Sequence, residues 1–211
     1  DGLYTRWYEN GQKRNEGNSK DGERDGLQTW WYENGQKSNE ETWKNGKPDG
    51  LETSWYENGQ KKLEGIYKDE IRDGLLLEWF ENGQKKSDGT FKDGKKDGLS
   101  TQWFENGQKE FEENYKDGRF DGLYIRWYEN GQKDGEGSFK NGNGLDLGIT
   151  GIPRNGRDGL WTFWYENGKM KIKETFKDGK QDGLTTLWYE NGQKEKEGTY
   201  KDGKQDGLST E

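Results

Sequence analysis

The sequence predicts an all-β fold, an elongated array of antiparallel β-hairpins that forms a meander-like or solenoid-like twisted sheet. Three observations support this fold class. The triplet Asp-Gly-Leu recurs with a period of 24 residues. Each repeat contains two glycine-containing turn signals, and the arms between them have the length of β-strands. A fixed short period indicates a repeat architecture with about two strands in each unit.

The repeat boundaries follow from the period. Residues 1–142 contain six repeats, residues 158–211 contain two more and a truncated ninth, and residues 143–157 interrupt the phase. We expect one continuous repeat domain. Because the chain begins in phase without a methionine and stops just before the next expected tryptophan, we also expect it to be a piece of a longer array.

Composition limits how such an array is held together. Only 25% of the residues are hydrophobic, and alanine, valine, cysteine and histidine are absent. A typical domain of this length buries a large aliphatic core, for which this chain has little material. The 11 Trp, 11 Tyr and 8 Phe residues are its main source of buried area. We therefore expect a thin structure that packs through aromatic side chains.

Two turns divide each repeat into strands. Asn10-Gly11 ends the first strand, and asparagine and glycine both tolerate the positive φ angles of a two-residue type I′ turn. Asp21-Gly22 ends the second strand in the same way. The Glu-Asn-Gly triplet recurs in all eight repeats, whereas helix formers of the alanine and leucine type are scarce. These features favour a meander of hairpins over helices.

Two-residue loops at both turns predict a register. Trp7 then faces Arg14, and Tyr4 faces Gly17 across the first hairpin. Gly17 also faces Gly26 across the second hairpin. Because side chains alternate across a strand, one face carries the Leu-x-Thr-x-Trp positions and the other face carries the residues between them.

Tryptophan occupies the same position in every repeat, at the end of the first strand. A second aromatic residue follows it directly, and a third recurs eleven residues later in seven repeats. We expect the tryptophan row to be the structural core, with an exposed stacking platform for sugars as the alternative. The row comprises Trp7, Trp31, Trp55, Trp79, Trp103, Trp127, Trp164 and Trp188.

Residues that differ between repeats are better binding candidates than those that recur. Extra aromatic or charged side chains occupy such positions, and ordinary surface variation is the alternative explanation for them. These candidates are Tyr4, Arg6, Trp30, Tyr124, Arg126, Trp161 and Phe163.

The interruption at 143–157 contributes four further candidates, Leu145, Leu147, Ile149 and Ile152. Three interpretations are open for this segment. It is a packed irregular connection, a degenerate extra strand bounded by two turns, or a projecting loop that binds a partner, as insertions in repeat proteins often do.

The recurring motif resembles a known family. Gly-Leu-x-x-x-Trp-Tyr-Glu-Asn-Gly-Gln-Lys, followed by Glu-Gly-x-Tyr-Lys-Asp-Gly-Lys-x-Asp-Gly, is similar to the variant MORN repeat and covers nearly all of the chain outside the interruption. The resemblance implies a meander of hairpins. It also implies kinship with bacterial YwqK-like proteins that carry an antitoxin label. MORN repeats elsewhere are linked to lipid contact and protein scaffolding, and the matched motif contains no catalytic residue.

We expect a non-enzymatic structural or protein-interaction scaffold, because the carboxylates recur in every repeat whereas a catalytic pair is normally unique. A carbohydrate-binding surface module and an antitoxin that binds a toxin are the alternatives. The expected partner is another protein or a second copy of the chain, with a glycan as the alternative.

Charge and composition narrow the remaining expectations. A net charge of −8 argues against nucleic acid, which requires clustered Lys and Arg. No apolar run reaches the roughly 20 residues of a membrane-spanning helix. We expect no cofactor and no metal, although Asp21 and Asp25 leave Ca²⁺ as an alternative. For location, the expectation favours the cell surface or exterior over the cytoplasm.

Overall fold

The computed structural model describes residues 1–144 and 150–207, which form β-strands joined by turns and include no helix. The chain forms two compact units, Asp1–Lys95 and Lys96–Glu211. The predicted all-β fold is confirmed, and so is its construction from antiparallel hairpins. Within residues 1–144 and 150–207, no helix is long and apolar enough to cross a membrane.

The first unit contains eight strands, each antiparallel to the next along the chain. They are β1 (Gly2–Trp7), β2 (Lys13–Lys20), β3 (Glu23–Trp31), β4 (Lys37–Lys44), β5 (Lys47–Trp55), β6 (Lys61–Lys68), β7 (Ile71–Trp79) and β8 (Lys85–Lys92).

The second unit repeats this pattern, and its first strand begins at the last residue of the first unit. The strands are β9 (Lys95–Trp103), β10 (Lys109–Lys116), β11 (Arg119–Trp127), β12 (Lys133–Gly142), β13 (Arg157–Trp164), β14 (Met170–Lys177), β15 (Lys180–Gln181), β16 (Gly183–Trp188), β17 (Lys194–Lys201) and β18 (Lys204–Gln205). Eight of the strands end on a tryptophan of the predicted row.

The Glu-Asn-Gly turn has three loop residues, so the predicted two-residue type I′ turn is wrong. Tyr8 N donates to Gln12 O at 2.8 Å and Gly11 N donates to Tyr8 O at 3.0 Å. Within this loop only Gly11 has a positive φ. The Asn10 side chain stabilises the loop, because its Oδ1 accepts from Gln12 N at 2.9 Å. This geometry is a type I turn followed by a bulged glycine.

The longer loop changes the pairing of the residues that flank it. Trp7 pairs with Lys13 rather than with Arg14, and the register shifts between Arg6 and Trp7. Beyond the bulge the prediction holds, because Tyr4 pairs with Gly17.

The Asp-Gly turn does have the predicted type I′ form. Asp21 and Gly22 both have positive φ angles, at 52° and 82°. The predicted pairing of Gly17 with Gly26 is nevertheless wrong, because Gly17 pairs with Gln28. The Asp-Gly-Leu triplet bulges there and places three residues opposite one.

The bulge gives the aspartate of Asp-Gly-Leu a structural role. Its carboxylate accepts from the backbone N–H of the next type I′ turn, as when Asp97 Oδ2 accepts from Asp117 N at 3.2 Å. Asp1, Asp25, Asp121 and Asp158 accept in the same way. Turn stabilisation therefore accounts for a residue that the sequence also offered as a calcium ligand.

Each sheet face has a distinct content. One face, the leucine–tryptophan face, carries the leucine, threonine and tryptophan positions of the first strand and the lysine and glutamate positions of the second. In the first repeat Thr5 Oγ1 donates to Glu16 Oε2 at 3.2 Å, and Lys13 Nζ lies 2.6 Å from the same carboxylate. The opposite face carries the hydrophobic core.

The core lies in the second unit, so the prediction that the tryptophan row forms it is wrong. Trp7 is 60% exposed and the other seven tryptophans of the row are half-buried. The buried cluster instead comprises Tyr124, Phe139, Ile152, Trp161, Phe163 and Phe176. The reason is geometric: the row ends strands on the leucine–tryptophan face, whereas Ile152 of the insertion packs with the aromatic residues of the opposite face.

Candidate functional site

A groove on the first unit brings together three of the predicted binding residues. Tyr4, Arg6 and Trp30 line a cavity of about 500 Å³ on the face opposite the leucines. Arg14, Asn15 and Arg24 also line this cavity, which we call the arginine groove. The strands β1, β2 and β3 position these side chains, and the two turn types place the arginines around the aromatic rings.

Each guanidinium of the groove lies against an aromatic ring. The Arg6 carbon Cζ is 5.9 Å from the centre of the Tyr4 ring, and that of Arg24 is 5.3 Å from Trp30 and 4.7 Å from Trp43. All three arginines of the groove are exposed. Such contacts preorganise the cations without neutralising them.

Two polar side chains complete the groove. Asn15 lies on β2 and is only 8% exposed. Glu23 is the acidic residue of the lining, and its carboxylate approaches Gly46. Tyr4 does have a partner, because its hydroxyl donates to Gln28 Oε1 at 2.8 Å.

Four other predicted binding residues lie in the core rather than on the surface. Tyr124, Ile152, Trp161 and Phe163 are at most 3% exposed, which corrects the expectation that they present an exposed surface. Trp161 fits because Gly137 faces it: a Cβ built on that glycine would lie 2.1 Å from the indole.

Pairing a bulky residue with glycine across the strands was a signal available in the sequence. Gly17 and Gln28, like Gly65 and Leu76, are 11 residues apart and face each other in the sheet. Gly137 and Trp161 also face each other, but they are 24 residues apart because the interruption lies between them. The incorrect register concealed this relationship.

The described part of the insertion is a packed connection. Ile152 enters the core, while β12 pairs directly with β13. Residues 150–156 contribute no strand, and the described residues therefore support the packed interpretation over an extra strand. Leu145, Leu147 and Ile149 lie outside the described residues.

Arg157 fixes this connection from inside. Its guanidinium is 1% exposed and donates to Ile152 O at 2.9 Å, to Pro153 O at 2.8 Å and to Glu174 Oε1 at 2.8 Å. Burial lowers the pKa of Arg157 to about 10, against the opposing effect of Glu174, and the side chain stays protonated at neutral pH.

Arg126, another predicted binding residue, also holds the insertion. Its Nη2 donates to Thr150 O at 2.6 Å and pairs with Asp134. The side chain is therefore engaged in a structural contact rather than presented as a free surface cation.

A row of exposed leucines is the surface feature that sequence reasoning missed. The leucine of every Asp-Gly-Leu in the described residues is between 44% and 68% exposed. Its conformation follows from the bulge, which turns the leucine onto the leucine–tryptophan face. The first unit presents Leu3, Leu27, Leu51 and Leu75, and the second presents Leu99, Leu123, Leu160 and Leu184.

Lysines accompany the tryptophan row on the same face. Lys13 Nζ lies 5.5 Å from the centre of the Trp31 ring, and Lys37, Lys61, Lys109 and Lys133 contact Trp55, Trp79, Trp127 and Trp164 in the same way. Each of these lysines also pairs with an acidic residue three positions on. The face is therefore apolar with internally paired charges.

Across residues 1–144 and 150–207, no group of three or more Asp or Glu side chains is arranged to hold a metal ion.

The repeat pattern matches a known family along most of the chain. The family model of the MORN repeat variant matches eight times, at residues 1–21, 24–45, 48–69, 72–93, 96–117, 120–141, 157–178 and 181–202. No curated protein is significantly similar to the chain. The matches agree with the hairpins seen in the structure, and the segment between the sixth and seventh matches is the insertion that Arg157 fixes. The chain belongs to the MORN repeat variant family.

Proposed function

We propose that this protein is a non-enzymatic structural scaffold that assembles with a second copy of itself through the leucine–tryptophan face. The single observation that carries the proposal is the exposed leucine row. Isolated exposed apolar residues are ordinary, but a leucine on every second strand of one face is a repeated apolar feature, and extended exposed apolar surface marks interaction sites.

The spacing of the row favours a second copy as the partner. One leucine projects from every second strand, so equivalent side chains within a unit stand about 9.6 Å apart. A partner must present apolar groups at the same interval to cover each leucine, and another copy of this array does so. A two-fold interface between identical faces also satisfies the symmetry of most homodimers.

Charge on this face is compatible with self-association. Lys13 pairs with Glu16 and Lys37 with Glu40, so the face carries both signs in close pairs. Two such faces would not accumulate like charge as they approach. The net charge of −8 opposes association only weakly at moderate salt, since screening acts over about 10 Å.

Non-enzymatic function is supported by the chain's chemistry. Histidine and cysteine are absent, and the turn glutamates recur in every repeat. The arginine groove has a single acidic side chain in its lining, Glu23, and so lacks the pair of carboxylates that a glycosidase uses.

The carbohydrate and antitoxin alternatives stay predictions. Trp30 and Tyr4 already carry guanidinium groups against their rings, which a sugar would have to displace. Trp161 and Phe163 are buried and offer no platform.

Sedimentation velocity across a concentration series tests the proposal. We expect wild-type protein to form a dimer or larger assembly, and the triple variant Leu27→Ser, Leu51→Ser, Leu75→Ser to sediment as a monomer. The matched control changes exposed Gln12, Gln36 and Gln60 to serine and should assemble like the wild type. A wild-type monomer at every concentration, or a leucine variant that still assembles, would contradict the proposal.

A further inference from the structure

We propose that the arginine groove binds a carboxylate-rich segment of a partner protein. The groove lies on the face opposite the leucine row, so this inference goes beyond the proposed self-assembly and does not depend on it.

Charge in the groove is opposite to that of the chain as a whole. The protein carries a net charge of −8, yet the groove is lined by three arginines and one glutamate. Residues 1–144 and 150–207 supply no salt bridge to Arg6, Arg14 or Arg24. Within residues 1–144 and 150–207, Arg126 and Arg157 do have carboxylate partners, and both are structural. The groove arginines therefore keep their capacity for an external anion.

Each arginine of the groove lies against at least one aromatic ring. Arg6 lies over Tyr4, Arg14 lies 5.8 Å from the Tyr8 ring and Arg24 lies between Trp30 and Trp43. Contact with an aromatic ring restricts each long side chain, while its N–H groups can still donate to an external acceptor. A guanidinium edge matches a carboxylate with two parallel hydrogen bonds, which makes arginine the usual residue for such recognition.

Asn15 adds a polar side chain to the lining of the groove. It is 8% exposed and lies beside the arginines. Its amide can donate to a carboxylate or accept from a backbone N–H, and an acidic peptide offers both.

A sugar and an anionic membrane both fit this groove less well than an acidic peptide does. The faces of Tyr4 and Trp30 are occupied by arginines, so the stacking surface that a sugar would use is taken. An anionic membrane would meet the acidic chain around the groove as well as the groove itself, whereas a short peptide needs only local complementarity.

Fluorescence anisotropy with a labelled oligoglutamate peptide tests the inference, with a labelled oligoglutamine peptide as the neutral probe. We expect wild-type protein to bind oligoglutamate, to ignore oligoglutamine and to bind more weakly at high salt. The double variant Arg6→Gln, Arg24→Gln should lose at least about tenfold in affinity, because it removes two charge-assisted sites. Both residues are exposed, so the variant should fold, as circular dichroism can verify.

The matched control removes two positive charges elsewhere. Lys116→Gln, Arg119→Gln changes exposed residues of the second unit and should change affinity less than about twofold. Equal losses in both variants would mean that net charge alone attracts the peptide. That result would overturn the inference, as would absence of oligoglutamate binding or binding only to phosphatidylserine vesicles. Because the leucine variant should retain peptide binding, failure of this inference is distinguishable from failure of self-assembly.

Discussion

Arg157 shows how a single residue changes the structure of one repeat. In the other repeats the corresponding residue precedes Asp-Gly-Leu beside a short turn, whereas Arg157 is the last residue of the insertion at 143–157. Its guanidinium donates to two backbone carbonyls and to the side chains of Thr150 and Glu174. It also contacts the rings of Trp161, Phe163 and Phe176. The residue thus joins the insertion to the core.

Replacing Arg157 should destabilise the protein strongly. Arg157→Met leaves the carboxylate of Glu174 buried without its cation and removes the donor that satisfies the carbonyls of Ile152 and Pro153. Loss of one partner from a buried pair typically costs about 3–5 kcal/mol. Urea unfolding should show this loss, and the exposed control Arg119→Met should differ from wild type by less than about 0.5 kcal/mol. A small effect of Arg157→Met would show that the insertion does not depend on the guanidinium.

Glu113 should make stability depend on pH. Burial raises the pKa of Glu113 despite the hydrogen bond from Tyr115 and the nearby charge of Lys96. A carboxyl whose pKa is raised by folding destabilises the protein above that raised pKa. The penalty decreases as pH falls through it and vanishes below the ordinary carboxyl pKa.

Glu113→Gln should therefore raise the free energy of unfolding at pH 7 and have little effect below the ordinary carboxyl pKa. Urea unfolding of variant and wild type at both pH values measures the difference. The exposed control Glu129→Gln should change stability little at either pH. A gain from Glu113→Gln that is the same at both pH values would exclude titration of this carboxyl as its source.

At the scale of elements, side chains reinforce the edge where the Glu-Asn-Gly turns lie. In five repeats the tyrosine that follows the tryptophan donates its hydroxyl to the tryptophan carbonyl of the next repeat, as Tyr165 does to Trp188 O at 2.7 Å. The turn asparagine adds a second bond, as Asn106 Nδ2 does to Glu129 O at 2.9 Å. Adjacent hairpins are thus joined beyond the end of their backbone ladder.

Phe104 occupies the tyrosine position of its repeat and cannot donate this hydrogen bond. Phe104→Tyr should stabilise the second unit by about 0.5–1.5 kcal/mol, because the new hydroxyl can reach the carbonyl of Trp127. Tyr165→Phe should destabilise it by a similar amount. Thermal and urea unfolding measure both, and Tyr189→Phe, at a half-exposed tyrosine with no assigned hydroxyl bond, is the control. Equal stabilities for all three variants would show that these hydroxyl bonds contribute nothing net.

Across the whole molecule, buried aromatic area is distributed unevenly. The core cluster lies entirely within residues 124–176, and the described residues of the first unit add no side chain to it. Burial of one large apolar side chain is worth about 1.5–3 kcal/mol. Burial of apolar side chains therefore contributes more to the stability of the second unit than to that of the first.

Hydrogen exchange should reflect this difference. We expect backbone amides of β11 to β14 to exchange at least about tenfold more slowly than those of β3 to β6, since opening of a repeat protein is local. Mass spectrometry of peptic fragments resolves the two sets, and the paired turn segments of each unit serve as internal fast-exchanging references. Uniform protection of both sets would mean that the array unfolds as one cooperative body.

Much of the fold could be predicted because it is written in local turn chemistry. Asp21-Gly22 forms the expected type I′ turn, and the antiparallel meander follows. The register failed where a side chain changed the turn, since the bond from Gln12 N to Asn10 Oδ1 favours a three-residue loop. The extra loop residue places Lys13, rather than Arg14, opposite Trp7.

The candidate site was predicted only in part for the same reason. Tyr4, Arg6 and Trp30 do meet in the arginine groove, because their repeats are adjacent in the sheet. Trp161 and Phe163 occupy equivalent positions in a later repeat, yet they are buried because the insertion and Gly137 create space for them.

By itself the sequence determined the period, the strands, the antiparallel hairpins and membership of the repeat family, since these depend on residues close together in the chain. Only the tertiary structure decided which aromatic residues are core and which face is exposed. That choice depends on bulges at Asp-Gly-Leu and on Arg157, whose partners lie up to 17 residues away. Burial is a property of all neighbours together, and a repeated motif does not specify the neighbours of the one repeat that differs.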